Sequence, residues 1–420
     1  MGRLSGRISA VNELKGLLLA WLTVVWPRLM VYQRKFVEAG YKDDDKAWGY
    51  EFGVEVFQIY EWTQLQSVIA QEVVLRERIC GQTRTAFSIF ATDKSRSIGN
   101  AFLEAAHRRM RKGVLLYGEP SEFFAVVYRE IEAFLTADSL PYHAITPLHN
   151  VRSQPISLDG ENDIGPMQVN PREDPRWNGV AWDDNSEVPA QFVHNFRLPI
   201  LREGEPGDIQ DVIGACRTAV DRMLIAIAVA QRSTATAGPT LIENVGFYPE
   251  GAGRLRLLGD SPRQDLRKTL IGPEHIPAMT STWASLQDTR QNRVRLAGER
   301  LATIELARDD ESALLEAVTA LESILGDDSR NELAHRLSLL AARLIARDLG
   351  KSEREVHDGL LGAFQRRTTV LRGREGRENV NETKAVLRLV DDVVRRLTQL
   401  RAAGDPRFAN EPMDIVLTGP

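Results

Sequence analysis

The sequence predicts a mainly α protein with a β-containing middle, α+β overall. Three observations lead there. Long apolar runs at helical spacing, free of Gly and Pro, occupy the first third of the chain. Nine prolines then crowd residues 141–206, with short extended pieces between turn signals. From about residue 290 to 403 the pattern is strongly helical again, with capping signals at the helix ends. The expected parts are a helical N-terminal region (1–138), a mixed middle domain (139–289), a C-terminal helical bundle (290–403) and a tail (404–420).

In the first region "EVFQIYEWTQLQSVIAQEVVL" reads as helix. "SIGNAFLEAAHRRMRKG" places Phe102, Leu103 and Ala106 on one side and basic residues on the other, with Gly113 as a stop. "PSEFFAVVYREIEAFL" opens with Pro120-Ser121, a good helix start. "GLLLAWLTVVW" (Gly16–Trp26) follows Arg3, Arg7 and Lys15, the layout of a signal peptide. Pro27-Arg28 interrupts it, no cleavage site follows, and it is shorter than the ~20 residues a span needs. The expectation is a buried first helix, with no stable membrane association and a cytoplasmic location.

The middle region offers "QFVHNFRLPIL" as an extended piece, "SLDGEND" and "WDDNSE" as turns, and "DIQDVIGACRTAVDRMLIAIAVAQ" as a helix. "NVGFYPEGAGRLRLLG" reads as a hairpin turning at Gly251-Ala252-Gly253. "YHAITPLHN" reads as a Pro-rich loop holding His143 and His149. Two histidines suggest a metal, but no third or fourth ligand follows, so ordinary loop polarity is preferred.

In the last region "RVRLAGERLATIELA" comes first. "ESALLEAVTALESILG" then carries Leu314, Val318, Leu321 and Leu325 on one stripe. "SRNELAHRLSLLAARLIARDLG" opens with a capping box, Ser329 with Glu332, and stops at Gly350. A shorter helix starts at Ser352, with Glu355 as box partner, and runs into an arginine loop (Ala363–Gly376). In the final helix Val386, Leu387, Val390, Val393, Val394, Leu397 and Leu400 recur at i, i+3, i+4, i+7. Short connections between such helices imply an up-down bundle. Glu322, inside an apolar stripe, is expected to pair with a bundle arginine, Arg336 or Arg343, or to act in catalysis.

Net charge is −5 over 420 residues, so bulk electrostatics give no case for nucleic acid; any such case is local. Two cysteines, Cys80 and Cys216, cannot build a disulfide framework or a zinc site unaided. GxGxxG, HExxH, GxSxG and CxxC are all missing. "DLGKS" (Asp348–Ser352) ends like a phosphate-binding loop but has Ile345 where Gly is needed. It reads as one helix's C-cap running into the next N-cap. No cofactor and no metal are expected.

The local case for an anion is the arginine loop. From Arg366 to Arg401 there are ten basic residues against five acidic, a balance of +5 in an acidic chain. Arg366, Arg367, Arg372 and Arg374 facing one cleft would grip phosphate through planar forks of donors. The alternative is a solvated helix face with i, i+4 ion pairs. Both readings stand on spacing alone.

The segment from about Arg293 to Leu400 resembles the HEPN superfamily, and within it the ApeA-like bacterial branch. The residues that carry this are "AVTALESIL" (Ala317–Leu325), "ELAHRLSLLAARLI" (Glu332–Ile345) and "QRRTTVLRG" (Gln365–Gly373) before a long final helix. The family's loop reads roughly Arg-Ser-x-x-Val-His-Gly. The resemblance covers about a quarter of the chain. It implies a homodimer through the C-terminal bundle with two loops facing each other as a metal-independent ribonuclease centre. There the histidine moves protons and the arginine holds phosphate. Many members are toxins or anti-phage proteins, with a phage or host protein as trigger.

Arg367 matches the signature arginine, but Arg372 stands where the histidine belongs. A guanidinium stays protonated, so it cannot act as general base. The catalytic positions are therefore Arg367 and the degenerate Arg372, and the expectation is RNA or phosphate binding with cleavage lost or reduced. The competing expectation is a non-catalytic dimeric scaffold or sensor whose N-terminal domains recognise a partner. His357 lies ten residues before Arg367, roughly 15 Å along one helix, and His335 reads as structural.

Overall fold

The computed structural model describes residues 2–38, 55–71, 83–85, 88–90, 95–111, 116, 118–167, 190–199, 208–244, 255–257, 268–288, 291–326, 333–371 and 380–408. Over these residues the protein is mainly helical with a smaller β component. Two compact units form. One holds Met1–His143, Asn195–Val212 and Ile242–Leu255; the other holds Ala144–His194, Ile213–Leu241 and Arg256–Pro420. The second unit runs across residue 290, so most of the middle region and the bundle share it.

The first unit is built on α1 (Gly2–Glu38). Leu14, Leu18, Trp21, Leu22, Val25, Leu29, Tyr32 and Phe36 recur at three- and four-residue steps, and all are buried. That row packs against α2 (Tyr60–Gln71), α3 (Ser95–Arg111) and α4 (Pro120–Thr136). The indole NH of Trp21 donates to the Val56 carbonyl at 2.9 Å. Tyr128 Oη donates to the Val11 carbonyl at 3.0 Å. Gln33 closes both of its polar ends on the Leu116 backbone. Trp21 stacks on Phe57, and Trp62 packs tilted against Trp21 and edge-on to Phe57. Among the described residues α1 is the helix long and apolar enough to cross a membrane, and 39% of that apolar window is buried inside the fold. Pro27 lies within the helix rather than ending it. Two short strands, β1 (Thr83–Thr85) and β2 (Ser88–Phe90), pair as an antiparallel hairpin.

"YHAITPLHN" is a strand, not a loop. It falls in β3 (Ser139–His149), whose Pro141 and Pro147 interrupt neither its extended backbone nor its burial. The chain continues through β4 (Val151–Ser153), β5 (Ile156–Ser157), β6 (Asn162–Pro166) and β7 (Ala190–Pro199) to α5 (Ile209–Ala230). β8 (Thr236–Ala237), β9 (Thr240–Asn244), β10 (Leu255–Leu257) and β11 (Thr269–Ile271) follow. The larger sheet runs β10-β9-β3-β7-β6-β5, with β8 pairing β3. β5, β6 and β7 are antiparallel, with Ile164 opposite Ile156 on one side and Phe192 on the other. β11 lies parallel to β4. Asn150 turns β3 into β4 at φ 60, a left-handed conformation that Asn tolerates. β9 and β10 are neighbours in the sheet, as a hairpin requires; its expected turn, and the "WDDNSE" turn, lie outside the described residues.

The "SLDGEND" turn forms as expected. Asp159 accepts from the backbone of Glu161 and Asn162 and from the Asn162 amide, and Gly160 supplies φ 84. The same carboxylate accepts 2.7 Å from Trp283 Nε1 and 3.1 Å from Gln287 on α6 (Ile276–Gln287). Trp283 in turn packs edge-on to Phe192 of β7.

α5 is the shared wall of the second unit. Ala219, Val220, Met223 and Ile227 join the core of the sheet, while Ile225, Ala228 and Val229 join that of the bundle. The bundle comprises α7 (Asn292–Ile304), α8 (Asp310–Leu325), α9 (Leu333–Ile345), α10 (Glu353–Leu371) and α11 (Val380–Ala402). The predicted stripes are buried: Leu314, Val318, Leu321 and Leu325 on α8, and Val390, Val393, Val394, Leu397 and Leu400 on α11. Gly298 of α7 presses against Ile225 so closely that a β-carbon there would collide with it. "DLGKS" is a cap pair. Gly350 adopts φ 65, and Lys351 N–H donates to the Ala346 carbonyl at 2.9 Å. Ser352 and Glu355 then exchange the two bonds of a capping box. The other expected box, Ser329 with Glu332, lies outside the described residues.

Two groups set the acid response of the sheet side. Burial pushes His194, which bonds Asn162 at 2.7 Å, below its usual range. Burial alone would raise Asp159, but bonds from Trp283 and Asn162 outweigh it and hold the carboxyl low. In both cases the unfolded chain takes up the proton first. Stability should therefore fall as pH drops below about 6.5, and again below about 4. Chemical denaturation across pH should show both steps, and His194→Gln should flatten the first while leaving the second.

Candidate functional site

α10 does not end at residue 363. Ala363 and Phe364 are buried in the bundle, no Gly or Pro intervenes, and Thr368 and Thr369 bond back to the carbonyls four residues earlier. The helix runs to Leu371 and carries Arg366 and Arg367 on it, not on a loop. Arg372 and Arg374 lie outside the described residues.

Both helical arginines are committed inside the protomer. Arg367 pairs with Glu322 of α8 through Nη1 and Oε1, and each side chain is one-quarter exposed. Glu322 thus has a bundle arginine as partner, but neither Arg336 nor Arg343. Arg366 donates to Thr383 Oγ1 at 2.8 Å and to Glu382 at 3.0 Å on α11. These bonds join α10 to two neighbours, rather than running i, i+4 along one face.

The same holds further along α11. Arg395 is buried. It donates to Asp391 at 2.6 Å and to the Gln231 carbonyl at 2.6 Å. Gln399 donates to the Val229 carbonyl at 2.9 Å. The Val229 carbonyl in the last turn of α5 and the Gln231 carbonyl just beyond it are thereby capped by side chains of α11. Arg232 reaches back to Asp391 at 2.6 Å and Asp392 at 2.8 Å. Burial would lower Arg232, but the Asp391 bond and charge outweigh it and raise the guanidinium. Burial lowers Arg395, with Asp391 opposing the shift. Arg396 and Arg407 share Asp348, and Arg401 donates to the Ile324 carbonyl.

Lys384 and Arg388 instead line a groove of about 380 Å³ between the α7–α8 junction and α11. Arg232, Arg308, Glu305, Asp309, Asp310 and Asp391 complete its charged wall. Of the described basic residues from 366 to 401, five are tied to acceptors within the fold and these two face the groove.

His143 and His149 sit six residues apart on one strand, about 20 Å, too far to share an ion. His143 bonds Glu243 at 3.0 Å. Burial pushes the Cys216 thiol up to about 11, so it stays a thiol, and Cys80 lies outside the described residues. Among the described residues no group of three or more His, Cys, Asp or Glu is placed to hold a metal. His335 and His357 meet across α9 and α10, Nδ1 to Nε2, at 3.2 Å.

The sequence reading placed Arg395 and Asp391 no more closely than a charge count, and Arg232 not at all. A signal was present: residues 391 and 395, with buried Thr398, continue the i, i+4, i+7 row beside Val390 and Val394. Comparison with family models, with curated proteins and with solved structures finds no match.

Asp391→Ala would leave a buried guanidinium without its counter-charge. Chemical denaturation should register a loss of about 3–5 kcal/mol. A double-mutant cycle of Arg367→Ala and Glu322→Ala should give a coupling of about 0.5–3 kcal/mol.

Proposed function

We propose that this protein is a non-catalytic scaffold or sensor with an HEPN-like C-terminal bundle that pairs two protomers, its other regions recognising a partner. One observation carries this reading: Arg367, at the signature arginine position, is held by Glu322 of the same bundle. A guanidinium so neutralised has little charge left for a phosphate, and displacing Glu322 would cost the desolvation of two partly buried ions. Arg366 is likewise held by Glu382. Arg372, at the histidine position, cannot move a proton at neutral pH. α1 fits a core helix, since its apolar row is buried.

The +5 balance of residues 366–401 favours a second reading, a toxin-related or anti-phage protein that grips RNA through Arg366, Arg367, Arg372 and Arg374. The two readings separate on RNA affinity. With Arg366→Ala/Arg367→Ala, the scaffold reading expects a lower Tm, by about 2–4 °C per kcal/mol lost. It also expects unchanged anisotropy of a labelled RNA oligonucleotide at 50 and 200 mM salt. A tenfold loss of RNA affinity in a folded double variant, or metal-free cleavage of cellular RNA by the wild-type protein, contradicts it.

A further inference from the structure

We propose that His335 and His357 form a seat for one borderline divalent transition ion, of the zinc class, on the outer face shared by α9 and α10. His335 Nδ1 and His357 Nε2 stand 3.2 Å apart, with the rings crossed at 85°. Two imidazole nitrogens bound at about 2.0–2.1 Å with a tetrahedral angle lie about 3.3–3.4 Å from each other. The spacing is therefore already that of two ligands on one ion, within a few tenths of an ångström. Each ring needs only to tilt so that its lone pair points beside the other nitrogen rather than at it.

The surroundings fit this role. Asp358 Oδ1 lies 2.9 Å from His357 Nδ1. With Nδ1–H donating to this carboxylate, His357 presents the bare Nε2 that a metal requires, the carboxylate–histidine arrangement that orients metal ligands. Arg354 stands 3.5 Å from the other carboxylate oxygen. In that tautomer His335 is the donor of the N–H···N bond. Shifting its hydrogen to Nε2 frees Nδ1 without net loss of a proton.

Both ligands also sit on rigid elements. Leu337 and Leu340 fix the register of α9; Val356 and Leu360 fix that of α10, whose start is pinned by the Ser352–Glu355 box. His335 is exposed and His357 keeps 18% of its side-chain surface, so the ion has a way in and water fills its remaining positions. With two protein nitrogens and an outer carboxylate, the seat is open and binds more weakly than a four-ligand structural site.

The test is calorimetric titration of zinc chloride into the full-length protein at pH 7.5, repeated with copper(II) and read by electron paramagnetic resonance. The expected result is one ion per chain and a copper spectrum showing nitrogen coupling. His335→Ala and His357→Ala should each weaken binding at least tenfold, with circular dichroism unchanged. Asp358→Asn should weaken it roughly 10- to 100-fold, the usual range for an outer-shell partner. His143→Ala should bind as the wild type does. No heat up to millimolar zinc, or titrations that His335→Ala and His357→Ala leave unchanged, would overturn the proposal; zinc held elsewhere gives that second result.

Discussion

A buried guanidinium, Arg395, holds the two layers of the second unit together. α5 has to face the sheet with one side and the bundle with the other, and its C-terminal carbonyls finish between them. Such carbonyls have no partner in their own helix and are costly to leave dry. From α11, Gln399 reaches the Val229 carbonyl and Arg395 that of Gln231, the residue after α5. A cation so placed is itself costly, which makes Asp391 obligatory, and Asp391 in turn fixes Arg232 at the end of α5. The register of α11 against α5 is set by this chain of requirements, and the apolar stripes of α8 and α11 fill in around it.

The same use of charge recurs through the bundle. Arg366 and Arg367 each bond a carboxylate on another helix, and Arg396 and Arg407 share Asp348 in the turn between α9 and α10. A basic excess read as an attractive surface is, over the described residues, largely a set of struts between helices. Partly buried, bonded guanidinium groups of this kind are screened less by salt than surface pairs are. This is the physical ground for preferring a scaffold to a gripping site, and it rests on Arg367 above all.

The helices were legible because their stripes and caps are local. The Ser352–Glu355 box, the Gly350 stop and the Asp159 turn are each written within a few residues. The strand at Ser139–His149 was hidden by two prolines, which suggest a loop until neighbouring strands supply partners. The length of α10 was hidden by its arginines, whose partners are 16 and 45 positions away. The contact of His335 with His357 spans 22 positions and depends on how α9 and α10 are packed. Pairings of this kind come from tertiary packing, which spacing along one helix cannot express. Asp391 and Arg395 carried a local sign, their place in the row beside Val390 and Val394, that the charge count passed over.

Arg367 is occupied within its own bundle, and the proposed function depends on that. The most direct measurement is the ¹⁵N side-chain spectrum of the arginines during titration with a short single-stranded RNA. Slow exchange of the Arg367 Nη–H groups, one of which is bonded to Glu322, with no shift as RNA is added, is the predicted result. A fast-exchanging signal that moves on RNA addition would contradict the account.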